Sequence, residues 1–326
     1  MKKILARRAM LLVVAFVTAL CSFSQTTHPA IYGALRFSND DVQKYGLMQI
    51  DANADTDPQL IWQDYDMVLT GSGGAVYVDG TYYVLSFMDY FGMLAATYVA
   101  ADPETKTWKS IGDEMILIDY SYIASDLTYD ETTGNVYACS LNGKGDGSFV
   151  LSTMDLKTAQ KTAIAPIERL CALAADAKGQ LYGIDMKGQL YKVDKTNAKL
   201  QLVGSTGVVP TSDCSATFDP ATGQLYWSAY TDAGGALYVV DVATAQATLL
   251  VNYPNGQQIT GIFLKAAPKA QGTPAAVEAS RTDFVGGALQ GKIRFALPWM
   301  DTDFNELTDE LTWTLHNEKE LLAQGK

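Results

Sequence analysis

The stretch TFDPATGQLYWSAY, residues 217–230, joins two strand-forming segments through the turn Asp-x-x-Thr-Gly. Aromatic and β-branched residues favour strands, whereas Asp and Gly favour a tight turn between them. Related units recur upstream as TYDETTGNVYACSL (128–141), AADAKGQLYGIDM (174–186) and, more loosely, VYVDGTYYVLSF (76–87). Repetition of one small unit along a chain predicts a propeller or a solenoid.

Each repeat is predicted to contain four short strands, which we call a to d in chain order. An aromatic residue opens strand b in every repeat, at Tyr32, Tyr83, Tyr137, Tyr182 and Tyr226. An aspartate ends strand c in every repeat, at Asp51, Asp102, Asp155, Asp194 and Asp241. Both markers therefore indicate five repeats, and the aromatic marker recurs at intervals of 44 to 54 residues.

The first repeat begins at strand b, residues 31–37, and has no strand a before it. The segment QITGIFL, Gln258–Leu264, follows the last strand d and has the composition of a strand a. If it completes the first blade, the ring closes and leaves only short edges, whereas a solenoid would need capping repeats. We therefore predict an all-β fold, with a five-bladed β-propeller of four-stranded blades over residues 25–265.

The turn aspartates Asp130, Asp176 and Asp219 recur in every well-formed repeat, so they are interpreted as structural rather than catalytic. An aspartate in this position accepts a hydrogen bond from the backbone two residues later. The glycines that follow, at 134, 179 and 223, are predicted to take positive φ.

The first 24 residues have the pattern of a secretory signal peptide, with four basic residues before an apolar run over 10–20 and small residues at 22 and 24. The apolar run is far shorter than the ~20 residues of a membrane span, which disfavours an N-terminal anchor. We predict cleavage after Ser24. The mature chain is then secreted, periplasmic or on the cell surface, without a transmembrane segment.

The net charge of the chain restricts the kinds of ligand that it is expected to bind. The chain carries a formal net charge of −12, and loss of the leader's four basic residues makes the remainder four charges more negative. Such a surface repels nucleic acid and anionic lipid, and it is compatible with metal cations or neutral sugars. We predict a glycan or protein ligand, no nucleic acid, no cofactor other than calcium, and a monomer.

Three cysteines remain after cleavage: Cys139, Cys171 and Cys214. An odd number in an oxidising compartment does not make a disulfide framework. Buried free thiols are favoured, with one bridge and one free thiol as the alternative.

Two family resemblances follow from the motifs. The phrases G-x-L-Y-x-V-D and D-x-x-T-G-x-L-Y resemble those of secreted quinoprotein-like and YVTN-type propellers, which implies a platform and transfers no catalytic residue. After a linker at 266–273, residues 274–326 resemble a fibronectin type III module through an opening Pro-x-x-Val, Pro298 and the strand around Trp313. The resemblance covers about half of a complete sandwich of ~100 residues, so this domain is expected to be truncated.

Histidine is scarce, with His28 before the first strand and His316 in the C-terminal segment. A Ser-His-Asp triad, a Cys-His pair and a His-ligated metal are thereby excluded from the propeller centre. The alternating carboxylate and amide oxygens of Asp51, Asn53, Asp55 and Asp57 resemble the first half of a calcium loop. The loop lacks the usual Gly at its sixth position and the acid at its twelfth, so a solvated turn is the alternative.

An enzymatic alternative is a five-bladed-propeller glycoside hydrolase, which holds carboxylates at the mouth of the central channel. Asp126, Glu168 and Asp213 are predicted at the starts of three successive inner strands, where such groups would lie. The short, regular repeats disfavour this alternative.

The favoured interpretation is a non-catalytic binding platform. The b–c and d–a connections share one face of a propeller, and here they vary in length and carry aromatics, which is typical of a functional surface. Aromatics beside carboxylates suit either a sugar ring or a protein hot spot. The predicted contacts are the polar residues Asp89 and Asp119 and the aromatic residues Tyr90, Tyr120, Tyr122 and Tyr230.

Overall fold

The computed structural model divides into two compact units, Met1–Lys265 and Ala266–Lys326. In the first unit it describes residues 27–39, 45–54, 56–66, 68–69, 74–90, 93–117 and 123–265, with only the backbone between 86 and 97 and between 113 and 117. In the second unit it describes the backbone of residues 284–285, 288–289, 313–316 and 321–325. The predicted leader, linker and most of the C-terminal module lie outside these ranges.

The first unit is a five-bladed β-propeller, as predicted, and each blade is a four-stranded antiparallel sheet. Blade 1 contains β1 (Ala30–Phe37), β2 (Gly46–Asp51) and β3 (Gln59–Gln63), and blade 2 contains β4 (Ala75–Val78), β5 (Thr81–Tyr90), β6 (Met93–Asp102) and β7 (Thr107–Leu117). Blade 3 contains β8 (Ala124–Asp130), β9 (Asn135–Leu141), β10 (Phe149–Met154) and β11 (Lys161–Ile167). Blade 4 contains β12 (Leu170–Ala175), β13 (Leu181–Asp185), β14 (Gln189–Val193) and β15 (Leu200–Ser205). Blade 5 contains β16 (Ser215–Phe218), β17 (Leu225–Thr231), β18 (Gly234–Val240) and β19 (Ala247–Asn252), and a short 3₁₀ turn follows at Pro254–Gly256.

The last strand of the ring, β20 (Gln258–Leu264), completes blade 1 in the order β20-β1-β2-β3. It pairs antiparallel with β1, with Ile31 opposite Leu264 and Leu35 opposite Ile259. The predicted closure is therefore confirmed. Because β20 pairs with β1, the first strand of the ring has no unpaired inner edge.

The turns have the predicted local chemistry. The three predicted a–b aspartates accept the amide two residues later, as in the bond from Thr132 N–H to Asp130 (2.9 Å). The equivalent bonds at Asp176 and Asp219 are also 2.9 Å. The glycines at 134, 179 and 223 have φ of 68°, 75° and 71°, respectively. The same bond forms after strand c in all five blades, at Asp51, Asp102, Asp155, Asp194 and Asp241.

Apolar side chains fill five clusters, one between each pair of neighbouring blades. Between blades 4 and 5 the fully buried Trp227 packs against Tyr238, with ring centroids 5.7 Å apart. Between blades 1 and 2 the ring of Phe263 stacks on that of Tyr77 at 4.5 Å. No blade has a core of its own, so each is stabilised chiefly by burying its faces against its neighbours.

The second unit has two antiparallel pairs among its described residues: β21 (Phe284–Val285) with β22 (Ala288–Leu289), and β23 (Trp313–His316) with β24 (Leu321–Gly325). Trp313 opens β23, within the segment predicted to be a strand. The fibronectin type III interpretation stays a prediction. Among the residues described in both units, no helix is long and apolar enough to cross a membrane.

Candidate functional site

The carboxylate of Asp126 lies at the centre of the ring, where the innermost strands approach one another. It accepts hydrogen bonds from the backbone amides of Leu173 on β12 (2.9 Å) and Ala216 on β16 (3.2 Å). The Ser215 hydroxyl donates to its other oxygen (3.2 Å) and accepts the amide of Ile262 on β20 (3.0 Å). One carboxylate and one hydroxyl thus connect the innermost strands of blades 3, 4, 5 and 1.

Asp126 is 0% exposed, and this burial raises the pKa of its carboxyl well above the usual range, although the hydrogen bonds it accepts oppose the shift. On the remaining side the backbone of Gly74 approaches so closely that a Cβ there would lie 3.0 Å from the Asp126 Cα. The expectation that Asp126 lines the channel mouth is therefore wrong. It is the third residue of β8, inside the packed centre, and a substrate has no access to it.

The other two carboxylates of the enzymatic alternative precede the inner strands as predicted, but they face different surroundings. Asp213 binds two arginines: its Oδ1 accepts from Nη2 of Arg169 (2.5 Å) and its Oδ2 from Nη1 of Arg36 (3.2 Å). Glu168 is exposed on the β11–β12 connection. Burial and the Asp185 carboxylate raise the pKa of Tyr191 on β14, with a smaller contribution from Glu168, which places the Glu168 charge toward that strand.

The Arg36–Asp213–Arg169 cluster joins three parts of the ring. Arg36 lies near the end of strand b of blade 1, Asp213 on the connection from blade 4 to blade 5, and Arg169 on the connection from blade 3 to blade 4. The Gln258 amide fixes the backbone beside it by donating to the carbonyl of Asp213 (2.7 Å) and to the Ser212 hydroxyl (3.1 Å). The cluster is thus held by side-chain and backbone bonds on the face where the inner strands begin, which we call the mouth face.

Of the six predicted ligand contacts, the structure describes one side chain. Tyr230 is half-buried near the end of β17, and its carbonyl accepts the amide of Thr211 at 2.8 Å, two residues before Asp213. Asp89 and Tyr90 end β5, where only the backbone is described, and Asp119, Tyr120 and Tyr122 lie outside the described residues. Only Tyr230 is therefore placed beside the Asp213 segment, and the other five stay predictions.

Sequence reasoning missed Arg36, Arg169 and Phe37. Phe37 is 40% exposed next to Arg36 at the end of β1. A signal was present, because Arg36 and Arg169 are the only arginines between residues 25 and 265. Phe37 also ends strand b of the first repeat, next to the same kind of connection that carries the predicted aromatic contacts in other repeats.

A second exposed aromatic, Tyr65, was missed on the connection from β3 to β4, where it is 83% exposed. The neighbouring Asp66 accepts the indole N–H of Trp108 at 2.9 Å. Trp108 belongs to β7, the outermost strand of blade 2. Tyr65 therefore marks the outer edge of the ring rather than its centre.

The predicted calcium loop forms the turn after β2. Asp51 accepts the amide of Asn53 (2.9 Å), as the equivalent aspartates do in the other blades. The Asn53 amide group bonds the backbone of His28, accepting its N–H (2.6 Å) and donating to its carbonyl (2.7 Å). Asp57 is exposed and Asp55 lies outside the described residues. Calcium binding stays a prediction, and within the described ranges no three His, Cys, Asp or Glu are grouped to hold a metal.

The three cysteines are buried and unbridged. Cys171 and Cys214 belong to the cluster between blades 4 and 5, whereas Cys139 belongs to that between blades 3 and 4. Burial raises the pKa of the Cys139 and Cys171 thiols, so at neutral pH they stay protonated and weakly nucleophilic.

Comparison with known proteins finds solved structures that are similar to this chain at low sequence identity. No protein-family model and no curated protein matches the chain. A solved protein of unknown function from Bacteroides thetaiotaomicron is 9% identical with a TM-score of 0.39, over 68% of this chain and 49% of its own. This chain therefore spans about half the length of that protein.

Two further solved structures are similar at the same level. TolB from Acinetobacter baumannii is 11% identical, with a TM-score of 0.44, over 76% of this chain and 69% of its own. A putative 6-phosphogluconolactonase from Bacteroides fragilis is 14% identical, with a TM-score of 0.38, over 72% of this chain and 83% of its own. At such identities the function has to be argued from the residues of this chain.

Proposed function

We propose that the protein is a secreted or cell-surface, non-catalytic platform that binds a glycan or protein ligand on the mouth face. The observation that supports this proposal is the convergence of partly exposed aromatic and polar side chains from several blades on the Asp213 segment. Phe37 and Arg36 come from blade 1, Tyr230 from blade 5 and Arg169 from the blade 3–4 connection. Aromatic and arginine side chains are the residue types that dominate binding hot spots.

The environments of the carboxylates also favour a binding role over glycoside hydrolysis. A glycosidase needs two accessible carboxyl groups on either side of the scissile bond, and its general acid needs a raised pKa. Asp126 has the raised pKa but is fully buried, and Asp213 is held between two guanidinium groups. Asp126 is therefore inaccessible to a bound sugar, and both oxygens of Asp213 are already bonded by arginine.

Export is supported by the sequence of the N-terminus. If the first 24 residues are a signal peptide, the chain expressed with its leader in a bacterial host is expected in the periplasm or medium. Its intact mass should correspond to a chain that begins at Gln25. Recovery of the full-length chain from the cytoplasm alone would contradict the proposed location.

Ligand binding is tested with a glycan array and a pull-down, using the wild type, Phe37→Ala and Tyr230→Ala. Loss of an aromatic that stacks on a ligand is expected to weaken binding by about tenfold, which corresponds to about 1.4 kcal/mol. Tyr65→Ala is the matched control, because it removes an exposed ring from the β3–β4 connection, whose Asp66 bonds the outermost strand of blade 2, and it should leave binding unchanged.

Two outcomes would contradict the proposal. If Tyr65→Ala weakens binding while Tyr230→Ala and Phe37→Ala do not, the ligand is bound at the outer edge of the ring rather than at the Asp213 segment. If the wild type turns over any of a panel of aryl glycosides, and Glu168→Gln or Asp213→Asn abolishes the turnover, the protein is a glycosidase instead.

A further inference from the structure

The only two arginines between residues 25 and 265 contact the same carboxylate. They are far apart in the sequence, at positions 36 and 169, and the other cationic side chains of the propeller are lysines. Arginine presents a planar fork of five N–H donors that matches a carboxylate, whereas lysine is a compact point charge. The two planar donor groups of the propeller therefore meet at one carboxylate.

The backbone prepares this geometry. Arg36 occupies an irregularity in the β1–β20 pairing between Leu35 and Phe37, and such a bulge redirects a side chain. The guanidinium carbon of Arg169 lies 5.7 Å from the ring centroid of Phe149, which restrains the plane of the fork. Both arginines are therefore oriented by their own blades as well as by Asp213.

The charges do not cancel within the cluster. Two guanidinium groups surround one carboxylate, which leaves one net positive charge in a chain whose formal charge is −12. The side chains of Arg36 and Arg169 are 26% and 42% exposed, and that of Asp213 is 19% exposed. Each fork bonds Asp213 through one nitrogen, and a guanidinium group carries five N–H donors in all.

A purely structural role for the ion pairs does not explain why two arginines contact one carboxylate. Partly exposed ion pairs contribute little to stability, because water and salt screen them and two long side chains have to be ordered. A single arginine would already neutralise Asp213. The second arginine is what creates the excess positive charge, and that charge favours an anionic group on a ligand.

We propose that Arg36 and Arg169 bind the carboxylate of an acidic sugar, and that Asp213 holds the two forks apart and accepts a hydrogen bond from a sugar hydroxyl. This inference rests on the proposed binding function and names the ligand class: a glycan that contains a uronic acid. Phe37 beside Arg36 offers a face on which the sugar ring can stack. The acidic surface elsewhere opposes non-specific binding of polyanions, so selectivity comes from this cluster.

The test uses an array of oligosaccharides built from uronic acids, together with their methyl esters, neutral glycans, sulfated glycans and acidic peptides. The wild type should bind at least one uronate, and its methyl ester should bind about tenfold or more weakly, since esterification removes the negative charge that the two arginines bind. Calorimetry with that uronate then compares Arg36→Met and Arg169→Met with the wild type. Each should weaken binding by about tenfold or more.

Lys178→Met is the matched control, because it removes one exposed positive charge from an a–b turn on the opposite face. It should change the affinity by less than about twofold. Arg36→Lys keeps the charge and removes the fork, and is expected to bind the uronate more weakly than the wild type. A thermal melt of each variant shows whether a loss of binding reflects a loss of folding.

Other results would overturn this inference. If uronates and their esters bind equally, or if Arg36→Met and Arg169→Met bind normally, the cluster is a structural bridge, although the platform itself stands. Preference for sulfated glycans or acidic peptides over uronates would show that the ligand class is wrong. If the wild type binds no glycan and captures no protein, the proposed function fails as well.

Discussion

A chain that ends at Tyr253 is expected to lose cooperative unfolding altogether, because it lacks the strand that closes the ring. Strand β20 contributes the buried side chains of Ile259, Ile262 and Phe263. Each is worth about 1.5–3 kcal/mol of burial, so together they approach the 5–15 kcal/mol by which a typical domain is stable. Their removal also exposes the inner edge of β1.

The matched control is a chain that ends at Lys265. It lacks the same second unit but keeps β20, and it should melt as sharply as the parent. The transition is followed by circular dichroism and by calorimetry, which report whether unfolding is all-or-none. A chain ending at Tyr253 that melts with the same sharpness and midpoint as the control would falsify the role of β20 in closure.

Within β20, the backbone of Gly261 approaches blade 2 closely. Its φ is +58°, and a Cβ at this position would lie 2.4 Å from the Tyr82 hydroxyl and 2.6 Å from the Ala75 Cβ. The Tyr82 hydroxyl donates to the Gly261 carbonyl at 2.9 Å, so the close approach joins blades 1 and 2. Gly261→Ala should therefore destabilise the closed ring without removing any strand.

The second large effect is expected at Asp126, where Asp126→Ala and Asp126→Asn should behave differently. Alanine leaves the amides of Leu173 and Ala216 buried without an acceptor. At about 1–3 kcal/mol for each orphaned donor, the loss is roughly 2–6 kcal/mol. Asparagine keeps an oxygen for both amides and presents an N–H₂ to the Ser215 hydroxyl, so Asp126→Asn should fold normally.

The comparison of Asp126→Asn with the wild type also predicts a pH dependence. Burial raises the pKa of the native Asp126 carboxyl above its unfolded value, so the native state holds this proton more tightly than the unfolded state. The corresponding stability is fully present below the unfolded pKa of about 3.9 and is lost as pH rises toward the native pKa. The wild type should therefore lose stability relative to Asp126→Asn as the pH rises from about 4 toward the native pKa.

Urea unfolding of both proteins across this range measures the difference directly. The turn carboxylates Asp102, Asp194 and Asp241 have lowered pKa values because backbone and side-chain groups donate to them, so they contribute the opposite slope. They are common to both proteins and cancel in the comparison. A difference in stability that does not change with pH would mean that native Asp126 titrates as it does in the unfolded chain.

The sequence by itself determined the repeat, the number of blades, the strand that closes the ring and the role of the turn aspartates. These features can be predicted from the sequence because they are local or periodic. The acceptor of each turn and its donor are two residues apart, as in Asp130 and Thr132. A missing strand a at the start and an unpaired one at the end are likewise visible from the order of the segments.

Only the tertiary structure decided which side chains meet across the ring. The distance along the sequence is 177 residues from Arg36 to Asp213 and 44 residues from Arg169 to Asp213. Asp126, expected at the mouth, is instead enclosed by backbone from β12 and β16. These contacts depend on how far each inner strand is shifted along the ring axis and on the bulge that redirects Arg36. The period of the repeat determines neither the strand shift nor the bulge, because packing between neighbouring blades determines both.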